Sequence, residues 1–436
     1  MADAPSPDRA ISSGVGAYST RPLLQVDLGA IARNYAVIQS KVGHARIGAS
    51  VKANAYGLGL EPVAKTLYGV GCRTFFVALA GEGMQLREAI GDNASIYVLN
   101  GPGPRDVSLF FKHKLRPVLN SPEQVQTWSE AAGIAKHAPF SAIMIDTGMN
   151  RLGLSLADVK KLSKTPKVFE TIGLDHIMSH LACSDNPENP KNAEQLQTFN
   201  TALSMLPKKT TSLSASGGVF LGARYHFDMV RPGISLFGGA ATVTPDKEGT
   251  EPVATLLGTV LQFQYVKKGE TVGYDASFTA PRDMRIATVG AGYADGVPVQ
   301  LSGTNERPGG KVRIGRKEVR ILGRVSMDLT TLDVTDAKPR IGDNAAFFGP
   351  LLHDSAVRAG TIDYDILTGL GARCRIDYQR GGTSEGAAGG RTKPPRRRGA
   401  PGGRGSAPRG TAASATRSPR SREKTSRSPT GRRPRS

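Results

Sequence analysis

The amino-acid sequence predicts an α/β fold, in which a TIM-like (β/α)8 barrel is followed by a second, mainly β domain and a disordered basic tail. Apolar segments alternate with helix-length segments in the first half of the chain, short β-rich segments replace them further on, and the C-terminal part is rich in Arg, Gly, Pro and Ser. We therefore expect a flexible arm at residues 1–20, the barrel at 21–245, the β-rich domain at 246–379 and the tail at 380–436.

The barrel prediction depends on eight apolar segments of strand length, most of which are separated by segments long enough for a helix. These segments are Ile47–Val51, Thr74–Leu79, Ser95–Leu99, Arg116–Leu119, Ser141–Ile145, Gly173–Met178, Thr211–Ser214 and Phe227–Val230. In a parallel barrel, side chains just beyond the C-terminal ends of the strands face the active site. The residues that follow these segments are therefore the first candidates for function.

The C-terminal segment 380–436 holds most of the positive charge of the chain. It contains 16 Lys and Arg residues against two acidic residues, and so accounts for 14 of the 20 net positive charges. It has too few apolar residues to offset the entropy of ordering, so we expect it to be disordered. Its Arg-Ser-Pro and Arg-Gly elements would attract a nucleic acid or another polyanion, but no aromatic residue is present to stack on bases. Contact with a nucleic acid therefore stays an alternative.

Cysteine content and hydropathy indicate the compartment. Cys72, Cys183 and Cys374 are far apart and odd in number, which argues against a disulfide framework and against a structural zinc site. The N-terminus has no apolar segment after a basic start, and no stretch reaches the roughly 18 apolar residues of a membrane span. We expect a cytoplasmic protein that neither binds a metal ion nor contacts a membrane.

The most informative segment is Ser50–Gly59, which reads SVKANAYGLG. Lys52 lies at the end of the first predicted barrel strand, although for a lysine taken alone a solvated strand end would be the commoner interpretation. A partly desolvated lysine has a lowered pKa and can form a Schiff base with an aldehyde cofactor. The hydroxyl of Tyr56 and the glycine-rich backbone behind it can approach a phosphate group.

This segment resembles the lysine motif of the alanine racemases, which depend on pyridoxal 5′-phosphate (PLP) and have fold type III. The resemblance extends over about residues 20–379 and includes several further motifs, although Leu58 stands where the family usually has histidine. It implies interconversion of L- and D-alanine through a Schiff base of PLP with Lys52, which would supply D-alanine for peptidoglycan. It also implies a homodimer whose active sites are shared between subunits.

The segment Asp146–Gly153, which reads DTGMNRLG, carries the second motif. By resemblance, Arg151 contacts the phenolic oxygen of the cofactor and helps to hold the substrate carboxylate, for which a planar cation with several donors is suited. Many family members have a carbamylated lysine two residues before this aspartate, but Met144 at that position cannot be carbamylated. Another group must therefore support Arg151, or the rate is lower.

Two further motifs supply cofactor-binding candidates. By resemblance, Arg231 contacts the pyridine nitrogen of PLP, and His180 supports this arginine. Arginine does not give up a proton, so the ring nitrogen stays unprotonated and racemisation is favoured over transamination. Ser216 and the backbone groups of Gly233 and Ile234 match the phosphate cradle of the family.

The second domain contains the remaining candidates. Racemisation removes a proton from one face of Cα and delivers one to the other, and the resemblance makes Tyr274 the second base opposite Lys52. It places Tyr293 and Asp328 near the opening through which substrate enters, and it makes the backbone amide of Met327 a ligand of the substrate carboxylate. A further tyrosine of the family is replaced by one of two residues, Ala372 or Arg373.

Two alternatives to an alanine racemase stay open at this point. The first is a PLP-dependent racemase of broader specificity, whose relatives often carry an export signal that is missing here. The second is a regulatory protein that binds PLP without turnover, although such barrels generally lack the β-rich domain. Tyr274 and Met327, which lie in that domain, favour the enzyme over the regulatory protein.

Overall fold

The computed structural model describes residues 18–135, 139–245 and 248–381 of the 436-residue chain. The predicted flexible arm and disordered tail lie outside these residues, apart from residues 18–20 and 380–381. Within the described ranges, no helix is both long enough and apolar enough to cross a membrane.

The chain forms strands and helices in alternation up to about residue 230 and mainly strands beyond it. The strands are β1 (Leu23–Asp27), β2 (Arg46–Ser50), β3 (Thr74–Val77), β4 (Ser95–Val98), β5 (Arg116–Leu119), β6 (Ser141–Met144), β7 (Leu174–Met178), β8 (Thr210–Ser212), β9 (Met229–Val230), β10 (Ala254–Val266), β11 (Thr271–Val272), β12 (Phe278–Thr279), β13 (Met284–Gly290), β14 (Lys311–Ile314), β15 (Lys317–Arg320), β16 (Thr330–Asp333), β17 (Asn344–Phe348) and β18 (Arg375–Gln379). The helices are α1 (Leu28–Val42), α2 (Lys52–Tyr56), α3 (Leu60–Gly69), α4 (Ala80–Ile90), α5 (Val107–Lys112), α6 (Pro122–Ala135), α7 (Leu156–Leu162), α8 (Lys167–Thr171), α9 (Lys191–Leu203), α10 (Ser216–Val219), α11 (Leu352–Ala359) and α12 (Asp363–Thr368).

The first sheet is a near-closed parallel barrel of the strands β2 to β9. Its hydrogen-bonded order is β8-β7-β6-β5-β4-β3-β2-β9, so neighbouring strands follow the chain order except where β9 pairs with β2. Between β9 and β8, the amide of Asp228 donates to Thr211 O at 3.1 Å and that of Arg231 donates to Ser214 O at 2.8 Å. The predicted eight-stranded barrel is therefore confirmed, and its strands begin and end close to the predicted residues.

Aromatic and sulfur-containing side chains fill the interior of the barrel. Phe76 and Tyr97 stack with ring centroids 5.2 Å apart, and Met178 and Met229 are buried in the same cluster. Such packing makes the interior of a small parallel barrel a solid core and leaves only its C-terminal mouth open to ligands.

The second sheet is the β-rich domain that the sequence predicts. Strands β15, β14, β17, β10, β1 and β18 follow one another across it, and β13 joins β10 to β16. It also contains an element from the predicted barrel segment, because β1 pairs with β10 in antiparallel and with β18 in parallel orientation. The N-terminal strand therefore completes the second sheet and not the barrel.

Two connections bring the second domain to the mouth of the barrel. Asp27 is the last residue of β1 and caps α1, where it accepts a hydrogen bond from the amide of Ala30 at 2.9 Å. The first helix of the barrel therefore begins directly after a strand of the second sheet. The helices α11 and α12 lie over the barrel mouth, where Asp363 accepts a hydrogen bond from the amide of Ala240 at 2.7 Å. Helix α12 also packs closely on the turn after Lys52, because a β-carbon on Gly57 would lie only 2.5 Å from Leu367 O.

Candidate active site

A cavity of about 1090 Å³ opens at the C-terminal ends of the barrel strands. It gathers the barrel candidates that the sequence predicts: Lys52, Tyr56, Arg151, His180, Ser216, Arg231 and Gly233. The helices α11 and α12 contribute the opposite wall, with His353, Val357, Asp363 and Tyr364. Within the described residues, no group of three or more His, Cys, Asp or Glu side chains is arranged to hold a metal ion.

Helix α2, which begins at Lys52, is a short turn of left-handed backbone. The four residues that follow Lys52, 53–56, have φ between 53° and 57°, a region that costs about 1–2 kcal/mol for each residue with a β-carbon. Hydrogen bonds offset this cost, because the amide of Ala53 donates to Glu82 Oε1 at 2.5 Å and the amide of Leu60 donates to Asn54 Oδ1 at 2.8 Å. Strain of this kind is typical of functional sites.

The amine of Lys52 is adapted to react as a neutral nucleophile. Burial lowers its pKa, the positive charge of Arg151 lowers it further, and the carboxylate of Glu82 opposes both effects. A lowered lysine pKa increases the fraction of free amine near neutral pH, and the free amine is the form that attacks an aldehyde.

Tyr56, Ser216 and Gly233 meet at one end of the cavity. Tyr56 is buried, which raises the pKa of its hydroxyl, and a hydrogen bond with Ser50 partly offsets this effect. The hydroxyl of Ser216 accepts hydrogen bonds from the amides of Gly233 at 2.9 Å and Ser235 at 3.3 Å. Hydroxyl groups and backbone amides are the donors that a phosphate group requires. Ile234 is fully buried behind this cradle.

Arg231 is buried in the wall of the cavity. Its guanidinium group donates to Ser212 Oγ and to Ser179 O, and it approaches Leu213 O at 3.5 Å. Burial lowers the pKa of Arg231 to about 10, so the side chain is still a cation at neutral pH.

His180 lines the same cavity as a neutral imidazole. Burial lowers its pKa to about 3, with the charge of Arg231 as the next largest cause. Among the described residues, the hydrogen bonds of Arg231 go to groups other than the imidazole of His180. The support of Arg231 that the resemblance assigns to His180 is therefore not a direct hydrogen bond among the described residues, and the role stays a prediction.

Arg151 extends from a tight turn that Asp146 organises. Asp146 Oδ1 accepts hydrogen bonds from the amides of Gly148, Met149 and Asn150, at 2.9, 3.0 and 3.1 Å. Arg151 is exposed at the cavity, whose wall also includes Met144. Methionine offers no anionic oxygen that could pair with the guanidinium group of Arg151, and the hydrogen bonds of Asp146 hold the backbone that leads to this arginine.

The candidates of the second domain lie outside this cavity within one chain. Tyr274, Tyr293 and Met327 are 68, 44 and 53% exposed, and none of them lines the cavity. Asp328, next to Met327, accepts a hydrogen bond from the guanidinium group of Arg373 at 2.7 Å. Within one chain, the candidates of the barrel and those of the second domain therefore do not line the same cavity.

Tyr364 is a cavity residue that does not appear among the sequence-based candidates. Tyr364 lines the cavity, its ring centroid lies 5.9 Å from that of Tyr56, and burial raises the pKa of its hydroxyl. The resemblance places such a tyrosine of the family at Ala372 or Arg373, whereas Arg373 pairs with Asp295. No local sequence signal marks Tyr364, because its position depends on the packing of α12 against the glycine-rich turn behind Lys52.

Two family models match the chain. The model of the alanine racemase N-terminal domain matches residues 26–241, and that of the alanine racemase C-terminal domain matches residues 253–378. The alanine racemase of Rhodospirillum rubrum is 41% identical over 374 residues, which cover 84% of this chain and 97% of that protein. The catabolic alanine racemase of Agrobacterium fabrum is 40% identical over 386 residues, which cover 87% of this chain and 98% of that protein.

Solved structures give the same result. The crystal structure of alanine racemase from Bartonella henselae, which holds covalently bound PLP, superposes with a TM-score of 0.77 at 35% identity, over 83% of this chain and 100% of that one. The biosynthetic alanine racemase of Pseudomonas aeruginosa superposes with a TM-score of 0.77 at 30% identity, with the same coverage.

Proposed function

This chain belongs to the alanine racemase family, and we propose that it interconverts L- and D-alanine with PLP bound at Lys52, by a two-base mechanism. The observation that carries the proposal is the cavity itself. It combines a lysine of lowered pKa with a cluster of hydroxyl and amide groups at one end and a buried arginine in its wall.

The residues of the cavity fit PLP. A β-carbon on Gly233 would lie 2.0 Å from Tyr56 Oη, and one on Gly217 would lie 2.7 Å from Ser184 Oγ, so the backbone stays open to a phosphate group only because both positions are glycine. Tyr56, Ser216 and the backbone of Gly233 and Ile234 would hold the phosphate group. The Lys52 amine would bond the aldehyde carbon, and Arg231 would contact the ring nitrogen.

PLP, when bound, withdraws electrons from the Cα atom of an attached amino acid and makes its proton acidic. Arg231 stays charged at neutral pH and offers only donors, so it does not protonate the ring nitrogen. It thereby limits electron withdrawal, which favours return of the proton to Cα and so favours racemisation over transamination. His180, neutral because its pKa is lowered to about 3, adds no second positive charge beside this arginine.

Lys52 and Tyr274 would exchange protons with opposite faces of Cα. Since Tyr274 is 68% exposed and lies outside the cavity of its own chain, we infer that it serves the cavity of a second copy in a homodimer. Tyr293 would then lie near the substrate opening. The amide of Met327 and the guanidinium group of Arg151 would both hold the substrate carboxylate.

We place the reaction in the cytoplasm, where D-alanine would supply peptidoglycan synthesis. All three cysteines of the chain, Cys72, Cys183 and Cys374, are free thiols, as is usual in a reducing compartment.

The proposal is tested by incubating the purified full chain with L-alanine, with and without added PLP, and measuring D-alanine. We expect a yellow protein that interconverts both enantiomers, and a Lys52→Ala variant that is colourless and inactive. A panel of other L-amino acids decides whether specificity is broader. A wild-type protein that binds PLP but neither racemises alanine nor exchanges its Cα proton in deuterated water would contradict the proposal and indicate a binding protein without turnover.

A further inference from the structure

Two loops of the second domain carry candidates for substrate binding and pack directly against each other. We name residues 292–296, which include Tyr293, the Tyr293 turn, and residues 326–328 the Met327 segment. The amide of Tyr293 donates to Ser326 O at 3.0 Å, and the amide of Ala294 donates to Met327 O at 3.0 Å. A β-carbon on Gly292 would lie 2.3 Å from Met327 O, so the contact leaves no room for a side chain.

One guanidinium group spans both loops. Arg373 donates through Nε to Asp295 Oδ1 at 2.7 Å and through a terminal nitrogen to Asp295 Oδ2 at 3.1 Å. It also donates to Asp328 Oδ1 at 2.7 Å. Because arginine presents several donors in one rigid plane, a single side chain can fix two carboxylates relative to each other.

The first of these carboxylates is buried and depends on the arginine. The side chain of Asp295 is 0% exposed, and its Oδ2 atom accepts a hydrogen bond from the amide of Gly292 at 2.9 Å. Arg373 is the one ionic partner of Asp295 within the described residues, and a buried carboxylate that loses such a partner is strongly destabilised. Arg373 is itself anchored, because Arg21 Nε donates to its carbonyl oxygen at 2.7 Å.

We propose that Arg373 is a positioning residue of the active site, which holds the Tyr293 turn and the Met327 segment in the arrangement that substrate binding requires. The inference rests on the proposed function, in which the amide of Met327 binds the substrate carboxylate and Tyr293 lies near the substrate opening. Arg373 does not line the cavity of its own chain, and it acts through Asp295 and Asp328. Loss of Arg373 would therefore weaken substrate binding more than it slows the proton transfers at Lys52 and Tyr274.

The test compares Arg373→Gln with the control variant Arg375→Gln, which removes the same charge two residues further along the chain. The side chain of Arg375 is exposed and forms no ion pair among the described residues. Hydrogen exchange is measured on the apoprotein, so this readout does not depend on activity. In Arg373→Gln we expect amides of the Tyr293 turn and the Met327 segment to exchange at least about tenfold faster, whereas Arg375→Gln leaves them unchanged.

The kinetic readout uses the PLP-loaded enzymes. We expect Arg373→Gln to raise the KM of both alanine enantiomers about tenfold while kcat changes by less than about twofold, because the loss falls on substrate binding. If Arg373→Gln does not fold, Asp328→Asn replaces it: exchange should rise in the Met327 segment and at the amides of Tyr293 and Ala294 that donate to it. The amide of Gly292, which Asp295 holds, should stay unchanged because the pair of Asp295 with Arg373 persists.

Wild-type exchange and wild-type KM in Arg373→Gln would overturn the inference, as would equal changes in both arginine variants. A wild-type enzyme without racemase activity would contradict the proposed function instead. The exchange rates would still decide whether Arg373 holds the two loops together.

Discussion

The backbone of Gly233 lies against the hydroxyl group of Tyr56, so closely that a β-carbon at position 233 would stand 2.0 Å from Tyr56 Oη. The amide of Gly233 also donates to Ser216 Oγ at 2.9 Å. A tyrosine hydroxyl from the segment after β2 and a backbone amide from the segment after β9 thus share one end of the cavity. This end is the proposed phosphate cradle, and its shape depends on the absence of a side chain at 233.

Gly233→Ala is expected to weaken PLP binding by about 5- to 150-fold, since an added methyl group in a close-packed site displaces its neighbours at a typical cost of about 1–3 kcal/mol. Equilibrium titration of the apoprotein with PLP, followed by visible absorbance, measures the effect. Gly69→Ala is the matched control, because nothing lies within 4 Å of a β-carbon there. Equal PLP affinity in the two variants would show that the cradle is elsewhere.

Arg151→Gln is expected to shift the pH dependence of PLP uptake to higher pH. The charge of Arg151 contributes to the lowered pKa of Lys52, so its removal raises that pKa, and less free amine is present at a given pH. The rate of PLP uptake by the apoprotein, measured against pH, gives the midpoint. Arg340→Gln, an exposed position in the second domain, controls for the loss of a charge. A midpoint that is unchanged or lower in Arg151→Gln would count against the electrostatic coupling.

His180→Gln is expected to reduce the acid sensitivity of folding. Because burial lowers the folded-state pKa of His180 to about 3, the unfolded state binds one more proton between that pH and the ordinary histidine value near 6.5. Stability is therefore lost as the pH falls through this range, by up to about 1.4 kcal/mol for each pH unit. Urea unfolding at several pH values should show a flatter slope in the variant than in wild type or in the exposed control His44→Gln. A slope equal to that of wild type would mean that His180 does not titrate as the burial implies.

The barrel could be predicted from local sequence because each of its strands is a short apolar segment next to a helix-length segment. The observed strands β2 to β9 agree with the eight predicted segments, and Lys52 and Arg231 lie where strands end, as expected. Asp27 was likewise predictable as a helix cap, since capping depends on neighbouring residues alone.

The partners of distant segments could not be predicted in the same way. Nothing in Leu23–Asp27 indicates that it pairs with β10 and β18, more than 200 residues away, because register and sheet membership depend on tertiary packing. Tyr364 was missed for the same reason, since its role follows from the packing of α12 on the turn behind Lys52. The pair of Arg373 with Asp295 joins two loops 78 residues apart and has no local signature.

In the proposed dimer, Lys52 of one subunit and Tyr274 of the other form one active site, and subunit complementation tests this arrangement. Lys52→Ala and Tyr274→Phe homodimers are each expected to be inactive. After unfolding and refolding of an equal mixture, half of the dimers should be hybrids with one complete site each, which restores about one quarter of wild-type activity. Hybrid dimers that form, as shown by native mass spectrometry, and yet remain inactive would contradict the shared site.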